Sequence, residues 1–133
     1  MEFEMLASIQ LQLVGPSLDV TRISTHLGFE PDDWKRKGEK RPSGDHGVYH
    51  EHRCRYRLED KRLIRIGERL KIHMPALAGL EDEIHKNVSE GGAVWLIVSL
   101  YDTEFVGLAL DHEQLAFLSR LKIGFSFENR SPD

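Results

Sequence analysis

Strict alternation of apolar and polar positions opens the chain. Ile9, Leu11 and Leu13 are separated by Gln10 and Gln12, and this period of two predicts a half-buried strand over residues 3–14. Gly15-Pro16 ends it. Ser17 or Asp19 is placed to cap a short helix whose Val20, Ile23 and Leu27 share one face, with Gly28 as its left-handed stop and Pro31 beyond. From Phe29 to Gly47 neither period survives, so residues 29–47 are expected to form a long loop of the kind that usually carries function. Alternation returns over 48–59, with Val48, Cys54, Tyr56 and Leu58 on one side and Glu51, Arg53, Arg55, Arg57 and Glu59 on the other, facing water or a partner.

Residues 60–88 change period: Leu63, Ile66, Leu70, Leu77, Leu80 and Ile84 recur every three or four positions, as on a helix. One helix of that length would run about 43 Å, longer than the roughly 36 Å expected across a sphere of this chain length. Pro75 removes a backbone donor and crowds the carbonyl of Lys71, so two helices over about 60–72 and 75–89, or a sharp kink, are expected. Gly91-Gly92 ends the second. Ala93 to Tyr101 is β-branched and aromatic on both sides, as in a central strand covered on more than one side. Asp102-Thr103 then links to a second strand, Glu104 to Leu110, as a hairpin. Asp111 with Gln114 has the spacing of a capping box, and Leu115, Leu118 and Leu121 stripe the helix that follows. Ile123, Phe125 and Phe127 alternate in a last strand, and residues 129–133 should fray. The predicted order is β-α-β-α-α-β-β-α-β, which fits a two-layer α+β domain: a mixed or mostly antiparallel sheet of about five strands with helices on one face.

With 133 residues the chain holds one domain, 1–133, and its 40% apolar and 30% charged composition excludes fibrous and disordered classes. No apolar run approaches the roughly 18 residues of a membrane span, and Glu2 and Glu4 stand where a secretory signal needs basic residues. The single cysteine, Cys54, has no partner within the chain, which agrees with a reducing compartment, so a cytoplasmic location is expected. The net charge of −4 conceals a division along the chain. Residues 35–71 carry 13 of the 18 Lys and Arg against six acids, a net of +7, and the remainder carries −11. Such segregation suits a positive face that steers an anionic partner inward.

Four pieces of sequence then fall into a recognisable order: Gly15 with Leu18-Asp19-Val20; Leu27-Gly28-Phe29-Glu30-Pro31; Trp34-Lys35-Arg36-Lys37-Gly38-Glu39; and Val106-Gly107-Leu108-Ala109-Leu110 followed by Glu113-Gln114-Leu115 and Leu121. The chain resembles, over nearly its whole length, a bacterial family of small single domains known as domain-of-unknown-function family 4279. The resemblance implies the α+β fold and little chemistry, because the family has no established activity. Comparable small families include immunity partners of bacterial toxins, an analogy that carries no residue roles. Nothing in the resemblance covers His46, His50 and His52.

Those histidines form the sharpest local pattern. On a strand His50, His52 and Cys54 share a side, and a His-x-His pair with Asp45, His46 or Cys54 as a further ligand has the make-up of a Zn²⁺ site. Three successive same-face positions span about 13 Å, too far for one ion without a bend, and Arg53 and Arg55 repel a cation. A Cys54–histidine dyad for nucleophilic catalysis suffers from the same spacing. The remaining histidines, His26, His73, His85 and His112, read as surface or boundary residues of helices. No phosphate-cradling glycine loop, nucleophile elbow or zinc-protease helix occurs, and no cofactor is called for.

The leading expectation is a non-enzymatic binding domain whose loop 30–47 and outer strand face contact an acidic protein, a toxin being one candidate. Trp34 would fill a partner pocket, or else pin its loop to the body of the domain, while Lys35, Lys37, Arg41, Arg53, Arg55 and Arg57 pair with carboxylates. The second is nucleic-acid binding by the same face, with Trp34 as the stacking residue. The third is a small metal-dependent enzyme on His50 and His52. An exposed strand edge would also allow a homodimer.

Overall fold

The computed structural model describes residues 3–41, 47–101 and 109–130. Nine elements follow in the order β1 (Met5–Gly15), α1 (Val20–Leu27), β2 (Asp33–Lys35), β3 (His52–Ile64), α2 (Ile66–Ala78), α3 (Glu81–Ser89), β4 (Ala93–Tyr101), α4 (His112–Leu121) and β5 (Gly124–Arg130). The sheet runs β2-β3-β1-β4-β5, antiparallel throughout except for the parallel pair β4 and β5, which α4 connects. This is the two-layer α+β arrangement that the periodicities predict.

The alternation of β1 decides where the helices go. Met5, Ala7, Ile9, Leu11 and Leu13 share one core with Ile23 of α1, Ile66, Leu70 and Leu77 of α2, Ile84 of α3, and Phe117, Leu118 and Leu121 of α4. All four helices therefore lie on one face of the sheet. Tyr56 ties α1 to β3 across this core, its hydroxyl 2.8 Å from Ser24 Oγ. Burial pushes the Tyr56 phenol up to about 12, with the Ser24 hydrogen bond opposing the shift. At one end of the sheet Asn87 Nδ2 donates to the carbonyls of Val14 and Ala93, pinning α3 to β1 and β4. A Cβ on Gly15 would overlap Asn87 Oδ1, so the close approach requires glycine there.

Several expectations are corrected. The loop 29–47 contains β2, because Trp34 pairs with Cys54 and gains the core as a contact, and Lys40 forms an isolated bridge with Val48. The strand expected over 48–59 runs instead over His52–Ile64, so α2 begins at Ile66 rather than near residue 60. Leu63, expected in a helical core stripe, is 65% exposed on that strand. The helix pair forms, but the break falls at Gly79-Leu80 and Pro75 sits inside α2. Asn129 and Arg130 extend β5 rather than fray. In α4 the capping box of Asp111 and Gln114 is present, while Leu115 is exposed and Phe117 takes its place in the core. The expected hairpin strand 104–110 falls largely outside the described residues, as do Asp45 and His46.

Candidate binding face of the sheet

Residues directly opposed across a sheet point to the same side, so the registers alone lay out the face that the helices leave uncovered. Lys35 opposes Arg53 and Asp33 opposes Arg55 across β2 and β3. One row then crosses all five strands as Asp33, Arg55, Gln12, Trp95 and Gly124, and a second runs Arg57, Gln10, Ile97 and Ser126. Ile97 is buried yet stands outside the helix-side core, as its place on this second face requires.

Four cations thus gather at the β2–β3 side of the helix-free face: Lys35, Arg53, Arg55 and Arg57. They are only partly neutralised. Lys35 Nζ lies 3.6 Å from Asp33, and Arg57 Nη1 lies 3.8 Å from Asp60, both pairs in contact with solvent. Arg55 donates from Nη2 to the neutral Gln12 Oε1 at 3.0 Å, and its Nε is buried with no acceptor among the described residues. Exposed Arg53 makes no side-chain hydrogen bond or ion pair among the described residues. The strip keeps net positive charge, and long-range attraction of an anion follows from it.

A change of register turns one carboxylate, Glu59, away from the arginines, while Asp60 stays beside Arg57. Strict alternation would leave Glu59 on the face with the arginines, but the pairing steps from Gln10↔Arg57 to Ile9↔Glu59, which leaves Leu58 unpaired as in a β-bulge. Glu59 therefore turns inward to 5% exposure under α2. There it meets Arg69, Arg62 Nη2 at 3.0 Å and His73 Nε2 at 3.1 Å. Burial alone would raise its carboxyl; the hydrogen bonds from Arg69, His73 and Arg62 outweigh burial and hold it below the usual glutamate value.

Trp34 does not share the cationic face. It opposes Cys54, packs half-buried against the helix-side core, and lies 5.4 Å from the His52 ring with Arg36 over it at 6.0 Å. The expected joint patch of Trp34 with Arg53, Arg55 and Arg57 is therefore divided between two faces of the sheet, because neighbours along a strand alternate. Lys37 lies beyond the end of β2, and its backbone N–H donates to His52 Nδ1 at 2.9 Å. Arg41 lies farther along the same connection, 5.3 Å over the Tyr49 ring.

The candidate thiol and metal chemistry gains little support. Burial pushes the Cys54 thiol up to about 12, far from the thiolate that a nucleophile or a metal ligand needs. His52 spends Nδ1 on the Lys37 amide. Among the described residues no group of three or more His, Cys, Asp or Glu is placed to hold a metal ion.

The aromatic group in the row of Arg55 and Gln12 is Trp95, which sequence patterning assigned only to a central strand. It is 41% exposed. Its indole lies over Gly124, where an added Cβ would come within 2.6 Å of the ring. The signal was present in β1: Gln10 and Gln12 mark a polar side of the sheet, and Trp95 pairs with Gln12. No curated protein and no solved structure matches the chain. A family model does match, over residues 5–131, and the chain belongs to the family described as Domain of unknown function (DUF4279).

Proposed function

We propose that the chain is a non-enzymatic protein-binding domain that receives an acidic protein on its helix-free sheet face, in the manner of an immunity protein occluding a bacterial toxin in the cytoplasm. The observation that carries this reading is the gathering of Lys35, Arg53, Arg55 and Arg57 on one side of the sheet, with Glu59 turned away from them. Arginine and tryptophan are the residue types enriched where binding energy concentrates, and Trp95 shares the face. Electrostatics would set encounter rate and specificity, and occlusion would be steric.

Charge reversal at Arg53 tests the reading. The native chain should capture an acidic protein from a lysate of the source cells and release it as salt rises. R53E should lose that protein while its melting temperature stays within a few degrees of native, since the exposed Arg53 side chain makes no hydrogen bond or ion pair among the described residues. Equal capture by both proteins would overturn the reading.

A second reading, single-stranded nucleic acid, is favoured by one observation: an exposed indole beside arginines is a stacking platform. It requires oligonucleotide affinity that falls steeply with salt. The net charge of −4 argues against it.

A further inference from the structure

The pairing of Trp95 with Gly124 carries more than the charge strip does. Large side chains on an open sheet normally lean on neighbours, but the position opposite Trp95 on β5 has no side chain, and the indole spreads over the vacancy as a flat surface. On the other flank, Gln12 holds one end of the Arg55 guanidinium, while Arg55 Nε is buried without an acceptor among the described residues. Arg55 and Trp95 stand two strands apart, with Gln12 between them, so their backbones are separated by about 10 Å at ordinary strand spacing.

We infer that Trp95, Gln12 and Arg55 form a composite docking site for an acidic segment carrying one aromatic side chain. The ring stacks on Trp95, and a carboxylate two positions along the extended segment is received by Arg55. Resting on the proposed function, this inference narrows the partner from any acidic protein to one with an aromatic anchor among its acids. The fit is one of charge and reach. Alternate residues of an extended segment are about 7 Å apart and share a side, and a glutamate side chain covers the rest. Arg55 already has a neutral partner that orients it, so it meets a carboxylate without first leaving one of its own.

The experiment titrates the full chain with a short polyglutamate peptide bearing one central tyrosine, and with the same peptide bearing alanine instead. Binding is read by calorimetry and by the Trp95 indole N–H resonance. The tyrosine peptide should bind about tenfold tighter, the scale of one aromatic pair. W95A should remove that difference and leave the alanine peptide's affinity unchanged. G124A, which keeps the indole but displaces it, should reduce the difference without abolishing it, and melting curves of both variants report whether they fold. Equal affinity for the two peptides, or a Trp95 resonance that does not move, overturns the aromatic site while the acidic docking face stands. No binding of either peptide overturns both. Binding of oligothymidine in preference to the tyrosine peptide, lost in W95A, assigns the platform to nucleobases and likewise overturns both.

Discussion

Glu59 shows how one residue can be misplaced by a pattern that is otherwise right. Its neighbours Arg53, Arg55 and Arg57 obey the alternation of a half-buried strand, and one unpaired residue, Leu58, sends Glu59 to the other side. The inward carboxylate then links the strand to α2 through Arg69 and His73, with Arg62 beside it. Replacing it by glutamine should cost about 2 kcal/mol, the worth of hydrogen bonds to a charged group. The pH dependence has a definite sign. Because the folded carboxyl titrates below its ordinary value of 4.5, its contribution is whole above that value and is lost as pH falls through the lower, folded-state pKa. Denaturant unfolding at a series of pH values should show the native chain losing stability in that acid range and E59Q losing less. Parallel loss in both proteins would show that the cluster does not stabilise the fold.

Among the elements, those bounded by local chemistry were legible and those bounded by tertiary pairing were not. Asp19 caps α1, Gly28 ends it with a φ of 86°, and Asp111 and Gln114 close the box of α4; each depends on residues a few positions apart. The end of β3 does not. Asp60 to Ile64 carries helical spacing, yet Arg62, Leu63 and Ile64 pair with Ala7, Leu6 and Met5, and that ladder holds the segment extended. Similarly, β2 has no pattern of its own and exists because β3 offers an edge. Pro75 is exposed within α2, and the turn waits until Gly79, so that Leu77 and Leu80 both reach the core. One link between elements was invisible in the sequence: Gln114 Nε2 of α4 donates to the Gly67 carbonyl of α2 at 2.8 Å in a buried position. Q114A loses that bond and half of the capping box, and should lower unfolding stability by about 2 kcal/mol. An unchanged midpoint in denaturant would mean that α2 and α4 are not coupled through it.

Over the whole molecule, the charge division seen along the chain becomes a division in space, though not along the lines the sequence suggests. Seven of the thirteen cations of the basic stretch fall into two groups: a strip on the sheet, formed by Lys35, Arg53, Arg55 and Arg57, and a group about the end of β3 and the start of α2, where Arg62 and Arg69 serve Glu59 and Arg65 lies 3.9 Å from Glu68. The first is the group that this reading offers to an outside anion. The candidate site was therefore half legible: alternation placed Arg53, Arg55 and Arg57 together, but which strand lies beside them is a matter of topology, and so Trp34 was included and Trp95 was not. The most direct test of a docking face on the helix-free side is an amide chemical-shift map of the chain titrated with polyglutamate. Perturbations centred on residues 33–35, 53–57, 10–12 and 93–97, fading as salt is added, are the predicted result. Perturbations centred on Arg62, Arg65 and Arg69 or on the helix layer, with the sheet face silent, would contradict it.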